Sequence, residues 1–304
     1  MTTLKPVYKS PSAPKIARLK RDFGGWLIML PGIALFAFFV WVPLLQSVRL
    51  SLYQTQGIRT VGFVGLENFR MVVNHPDFWA AVRNTFQYTL WSLVIGFFVP
   101  MILAMTINEL SHGKSLFRVA MYLPNMIPAL ATVFLWRYLF RSDASGGLNM
   151  LLKMLGVAPQ TYLTNSKMVI PYIVMSMTWK GAGATALIYL AGLQSISPEL
   201  YEAAIIDGAN CRQRIRHITI PQIFSLAKTL LILQIISVFQ ILYEPMVMTN
   251  GGPNNASLSL MQMVYRYAFQ DFDYAKASAL SLMIAALLIT LTLVYNKLNK
   301  ATEV

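Results

Sequence analysis

The stretch Tyr201-Glu-Ala-Ala-Ile-Ile-Asp-Gly-Ala-Asn210, continued by Cys-Arg-Gln-Arg-Ile-Arg-His-Ile-Thr-Ile up to Pro221, is a polar island between two long apolar runs. It holds Glu202 and Asp207, with Glu199 just ahead, and then Arg212, Arg214, Arg216 and His217. Pro198 suits a helix start, and Glu199 and Glu202 fall in the first turn, where the helix dipole favours negative charge. Gly208 is a natural stop after a helix over 199–207, because glycine takes the left-handed conformation at little steric cost. A second short helix follows, and Pro221 opens the next apolar segment at a first-turn position. Two short helices with a hinge, spanning 199–221, make a rigid knob between two membrane helices.

Outward from this island the chain is strongly apolar. Of its 304 residues 56% are hydrophobic and only 12% charged, with a mean hydropathy of +0.53. Soluble domains carry about 25% charged residues, so the composition says polytopic membrane protein. The net charge of +13 does not indicate a nucleic-acid partner. The basic residues gather at segment ends, as the positive-inside rule describes, and form no aromatic-interleaved patch. A single cysteine, Cys211, excludes an internal disulfide framework and a cysteine metal site, and His75, His112 and His217 are isolated.

Crossing a bilayer core of about 30 Å takes roughly 20 apolar residues in helix. Six stretches qualify: 26–48, 85–107, 119–140 (broken by Pro124 and Pro128), 168–196, 222–247 and 277–295. The first is too long for a signal-peptide core and is followed by no evident cleavage site, so it reads as a retained helix. Residues 1–25 hold Lys5, Lys9, Lys15, Arg18, Lys20 and Arg21, which assigns this tail to the cytoplasm. Six crossings put the short tail 298–304 on the same side and the knob in the cytoplasm. Residues 26–297 are then one transmembrane domain of an all-α protein in the cell (inner, cytoplasmic) membrane. Outside, residues 65–79 and 147–156 read as short amphipathic helices, the second capped by Gly156. Thr249-Asn-Gly-Gly-Pro253 reads as a tight turn. These loops either pack on the helix ends or form a docking surface for an external partner.

His112-Gly-Lys-Ser115 has the end of a P-loop, but its first glycine is replaced by Asn108 and no strand precedes it. The chain therefore has no nucleotide site of its own, and no intramembrane pair of acids offers catalytic chemistry. Lys180 falls near the middle of the fourth span, in Trp179-Lys-Gly-Ala-Gly183. Burying it costs at least about 2.5–3.5 kcal/mol on insertion scales. It faces either backbone carbonyls beside a kink or a polar substrate. Gly181 and Gly183 permit close approach of a ligand or a neighbouring helix. On the fifth span Gln234, Ser237, Gln240 (or Ile241) and Glu244 recur at helical spacing and share a face. That stripe is either helix-packing glue or a pathway lining. Trp179, Tyr189 and Tyr243 are aromatic planes on which the apolar face of a sugar ring can rest.

Glu202-Ala-Ala, Gly208 and Ile218-Thr-Ile-Pro221 resemble the EAA loop of binding-protein-dependent ABC importer permeases. Val64-Gly-Leu-Glu-Asn-Phe69, Tyr122-Leu-Pro124, Leu190-Ala-Gly-Leu-Gln-Ser-Ile196, Tyr201 to Ala209 and the Thr249–Pro253 turn resemble the maltose, lactose and glycerol-phosphate branch. The likeness spans about residues 25–297. It implies the type I importer fold, with a second related permease, two cytoplasmic ATPases carrying ATP and magnesium, and an external sugar-binding protein as partners. The chain is then not an enzyme, and has no cofactor of its own. The knob becomes the coupling helix, in which Glu202, Ala203, Ala204, Asp207, Gly208 and Arg212 meet the ATPase. Sugar contacts of the maltose-type relative fall on Lys180, Gly181, Ala184, Gln234, Ser237, Val238 and Ile241. That relative has an aromatic residue in place of Ala184 and asparagines in place of Val238 and Ile241, so the maltose site is not reproduced. Trp179, Gln240 and Tyr243 complete the candidate substrate set. The alternatives are a polyol or glycerophosphodiester as substrate, or a membrane scaffold that binds an ATPase without transporting.

Overall fold

The computed structural model describes residues 15–301, Ile58 and Ser111 excepted. Residues 1–14 of the basic tail and residues 302–304 lie outside the described residues. Among the described residues the regular structure is helical apart from one hairpin. Helix α1 runs as Lys15–Phe36, passes a π-turn at Ala37–Trp41 and ends as Val42–Leu52. It thus begins within the stretch read as a tail. Strands β1 (Tyr53–Gln56) and β2 (Arg59–Phe63) pair antiparallel with Tyr53 opposite Phe63. The hairpin has no counterpart in the sequence reading. The buried Asn68 amide donates to Ser51 O at 2.8 Å and Tyr53 O at 3.0 Å, fixing the following segment to it.

Helix α2 is only Glu67–Val73, because Phe78 already starts the long helix α3 (Phe78–Glu109). The amphipathic helix expected over 65–79 is therefore split between two elements. Helices α4 (Lys114–Met126) and α5 (Ala129–Leu139) meet at 92°. Pro124 sits inside α4, and the break falls at Ile127–Pro128, since the residue before a proline is pushed out of the helical region. Helix α6 (Gly147–Met154) ends, as expected, against Gly156 at φ +72°. In the loop before it, hydrogen bonds from Ser145 and the Arg141 guanidinium at 2.6 Å hold the Asp143 carboxyl down at about 2.

The remaining helices are α7 (Val169–Gln194), α8 (Pro198–Ile206), α9 (Cys211–Phe239), α10 (Tyr243–Thr249), α11 (Leu260–Tyr265) and α12 (Tyr274–Ala301). Among the described residues four helices are long and apolar enough to cross a membrane: Gly25–Leu52, Phe78–Glu109, Cys211–Phe239 and Tyr274–Asn299. The bent pair α4–α5 makes a fifth. The stretch expected as the fourth span is α7. Its 26 residues reach about 39 Å at 1.5 Å per residue, but its middle, Thr178-Trp-Lys-Gly-Ala-Gly183, is too polar to qualify. It is instead the central element. Ile170, Ile173 and Val174 enter one core with Tyr88 and Phe140, and Ala186, Tyr189, Leu190 and Leu193 enter a second with Ala104, Ile107 and Ile223. A helix surrounded by protein tolerates polar groups that a lipid-facing one does not.

The loop 249–260, expected on the outside, is packed, not bare. Asn84 donates to Asn255 O at 2.6 Å and Leu258 O at 3.1 Å, and Tyr88 Oη to Ser257 O at 3.0 Å. The packing reading of this turn is the one its geometry supports.

Candidate functional site

Two sites draw on the candidate residues. The knob comes first. Ser197 Oγ accepts from Glu199 N at 3.3 Å and starts α8, with Pro198 at its first position. Asp207 ends the helix and Gly208 turns the chain at φ +78°, while Ala209 N returns to Ala204 O at 2.8 Å. Such a left-handed stop satisfies the last helical carbonyls. Asn210 and Gln213 then form a reciprocal cap, at 2.9 and 2.8 Å, that starts α9. The second short helix of the sequence reading does not end before Pro221. It continues through a π-turn, Ile215–Thr219, into the body of α9, so Pro221 lies inside a long helix. The knob is one short helix and the extended root of a long one.

On α8, Tyr201 and Ala204 face inward, and Tyr201 Oη pairs with Thr219 Oγ1 at 3.0 Å. Glu202, Ala203, Ile205, Ile206, Asp207 and Gly208 are exposed, Ile206 at 86%. Arg212 is exposed as well. The arginine that the fold engages is Arg214, whose Nη2 lies 3.4 Å from Glu109 Oε2 and whose Nη1 donates to Ala209 O at 3.3 Å. Both Arg214 and Glu109 were left out of the sequence-derived set.

The second site is a cavity of about 300 Å³ where α3, α7 and α9 meet. From α3 it takes Ser92, Gly96 and Pro100; from α7 Met177, Thr178, Gly181, Ala182 and Thr185; from α9 Leu230, Leu233, Gln234, Ser237 and Val238. Gln234 Nε2 donates to Ser92 O at 2.8 Å and Ser92 Oγ at 2.7 Å. A Cβ on Gly96 would stand 2.7 Å from that amide nitrogen, so Gln234 reaches Ser92 only because residue 96 has no side chain. The structure therefore brings together Gly181, Gln234, Ser237 and Val238 of the candidate set. Its polar lining is hydroxyl and amide.

The other candidates lie elsewhere. Lys180 Nζ donates to the carbonyl of Ile127, at the bend between α4 and α5, which is the arrangement of a lysine beside a kink. Glu244 is within its coulombic reach. Trp179 packs edge-on against Trp136, with ring centroids 5.6 Å apart. Ala184 is not among the lining residues, and Tyr189 is fully buried in the core it shares with Ala104 and Ile223. The stripe expected on the fifth span does not hold beyond Ser237. Helix α9 stops at Phe239, Gln240 is its exposed cap, Ile241 is buried with its carbonyl held by Ser259 Oγ at 2.7 Å, and Tyr243 starts α10 half-exposed. Residues on the two sides of a helix break no longer share a face. The sequence reading missed Ser92, Gly96, Thr178 and Thr185. The signal for them was present: a serine and a glycine four residues apart inside an apolar span, opposite a glutamine.

Residues 96–303 match the family described as "Binding-protein-dependent transport system inner membrane component". The chain belongs to this family. The protein is thus the membrane permease component of such a transport system and not its catalytic subunit. The permease is 32% identical over 270 residues to the arabinooligosaccharides transport system permease protein AraP of Bacillus subtilis, covering 88% of this chain and 86% of that one. It is 30% identical over 280 residues to the trehalose/maltose transport system permease protein MalF of Thermococcus litoralis, with coverages of 91% and 93%. A crystal structure of a bacterial ABC transporter that imports the acidic polysaccharide alginate matches with TM-score 0.83 at 27% identity, over 94% of the permease and 98% of that chain. The same transporter bound to its alginate pentasaccharide-loaded periplasmic protein also matches, at 0.83 and 26%.

Proposed function

We propose that the permease carries an oligosaccharide, handed over by an external solute-binding protein, through a path that includes the cavity between α3, α7 and α9. The observation that carries this is the lining itself: Ser92, Thr178, Thr185, Gln234 and Ser237 offer neutral donors and acceptors beside apolar Met177, Leu230 and Leu233. Sugar rings present the same mixture of hydroxyl groups and apolar C–H faces. The names of the relatives, which cover neutral and acidic saccharides, agree with this class. The cavity-lining residues bring no ammonium or guanidinium group, which favours a neutral saccharide over a uronic-acid polymer.

In this reading the chain makes six crossings, α7 and the bent pair included, with both ends and the knob in the cytoplasm. Helix α8 is the coupling helix. Its exposed face, from Glu202 and Ala203 to Ile206, Asp207 and Gly208, seats in a cleft on an ATPase subunit. A second, related permease completes the path, and ATP-Mg is bound and hydrolysed on two partner subunits. The cavity argues against a non-transporting scaffold.

The test is uptake of labelled arabino-, malto- and galacto-oligosaccharides into proteoliposomes holding the complete transporter. Gly96→Val fills the cavity and displaces the Gln234 amide. It should abolish uptake of every sugar that the unsubstituted complex accepts, with the ATPases still attached. Undiminished uptake by that variant would remove the cavity from the path.

A further inference from the structure

We infer that Glu109 and Arg214 form a positioning pair that transmits movement of the knob to the wall of the cavity through the inner half of α3. The inference rests on the reading of the knob as an ATPase-docking element. Glu109 is the last residue of α3, and Arg214 lies in the first turn of α9. Their ion pair is 3.4 Å long, and the side chains are only 33% and 19% exposed. Arg214 also donates to Ala209 O, next to Gly208 in the turn of the knob, and the Cys211 thiol points at the same Glu109 oxygen at 3.8 Å. Two groups of the knob region, the Arg214 guanidinium and the Cys211 thiol, thus converge on the end of one helix.

That helix leads straight to the cavity. Its inner half, Phe98–Glu109, is an unbroken α-helix of 12 residues, about 18 Å long. It packs along α7, with Ala104 and Ile107 buried against Ala186, Tyr189 and Leu190. Immediately above it is the π-turn Ser92–Gly96, which supplies the α3 wall of the cavity. Ser92 in turn holds Gln234 of α9. Helices α3 and α9 are therefore clasped twice, by an ion pair at the knob and by an amide–serine hydrogen bond at the cavity. A displacement of the knob that the ion pair carries arrives at a wide turn, the kind of helical irregularity that concentrates at functional sites. Without the pair, the knob can move while the end of α3 stays in place.

The experiment uses the transporter purified through a tag on this chain, with Cys211→Ser as background and Ser237→Cys as a reporter in the cavity. The maleimide labelling rate of residue 237 is measured with and without ATP-vanadate, and the co-purifying ATPase is quantified. In the background complex, nucleotide trapping should change the labelling rate. Glu109→Gln, which keeps shape and removes charge, should lose that change while retaining the ATPase. The exchanged pair Glu109→Arg with Arg214→Glu should regain at least part of it. A merely structural role would lower yield or melting temperature without separating docking from cavity response. Full nucleotide dependence in Glu109→Gln, or none in the exchanged pair when the ATPase is still bound, would overturn the inference. If no ATPase accompanies even the background chain, the docking reading itself fails and this inference falls with it.

Discussion

Lys180 is the residue whose meaning the structure changes most. An ammonium group in the middle of a central helix invites a substrate contact, yet its bond runs to the Ile127 carbonyl. That oxygen is exposed by the bend, because Pro128 interrupts the helix that would otherwise cover it. Lys180→Met takes the donor from a part-buried carbonyl, a loss of up to about 3 kcal/mol. Its melting temperature in detergent should fall while the KM for sugar uptake stays near that of the unsubstituted protein. A raised KM at unchanged melting temperature would return Lys180 to the substrate. Three residues on, Gly183 faces the opposite demand. A Cβ there would press on the Met121 carbonyl and stand 2.6 Å from its carbon, so α4 lies against bare backbone. Gly183→Ala should cost about 1–3 kcal/mol through overpacking, read as a lower melting temperature. Gly181, with nothing within 4 Å of a Cβ, should accept alanine. The two glycines look alike in the sequence, and only the position of α4 separates them.

At the scale of elements, three prolines share one local solution. Pro43, Pro100 and Pro221 each follow a π-turn that contains the residue four positions earlier, at Ala37–Trp41, Ser92–Gly96 and Ile215–Thr219. A proline has no N–H for that carbonyl, and its ring collides with it. The wide turn moves the carbonyl aside, so the helix continues past each proline, and at Pro221, expected to open a segment, it carries α9 back to Cys211. The long apolar runs, the Ser197–Pro198 start and the Gly208 stop were legible because each depends on residues within one turn of one another. The wide turns, the end of α9 at Phe239 and the ion pair of Arg214 were not, because tertiary packing decides them. The candidate substrate set shows the same division: Gln234 and Ser237 follow from helical spacing and Gly181 from the resemblance, whereas Ser92, 142 residues before Gln234, and Gly96 join them from another helix. Pro221→Ala removes the steric reason for the turn at 215–219. If the turn closes to α-helix, residues 211–214 rotate by about 100°, the angle of one helical residue, and Arg214 leaves Glu109. The nucleotide-dependent labelling at residue 237 should then weaken as it does in Glu109→Gln. Unchanged labelling would mean that packing alone holds the wide turn open.

Across the whole molecule, the two halves of α3 belong to different bodies. The first half is fastened to loop 249–260: Asn84 and Tyr88 donate to its carbonyls and Thr85 Oγ1 accepts from Leu260 N at 3.1 Å, all three residues at most 1% exposed. The second half is fastened to the knob through Glu109. Between the two fastenings lie the π-turn Ser92–Gly96 and the cavity it lines. If the proposed movement of the knob is carried to the end of α3 while loop 249–260 stays packed, the helix should yield at its one irregular turn, Ser92–Gly96. Hydrogen exchange on the purified transporter should therefore show amides 84–91 unchanged by ATP-vanadate and amides 92–100 changed, with Phe98–Glu109 moving as a protected rod. Asn84→Ala should loosen the fastening to loop 249–260, leaving the buried Leu258 carbonyl without its donor at about 1–3 kcal/mol, while Asn255 O keeps Leu258 N. It should spread the nucleotide response outward into 84–91 and lower the melting temperature. A uniform response along 78–109 in the unsubstituted protein would mean that α3 tilts as one body, and that the wide turn serves only to make room for Pro100.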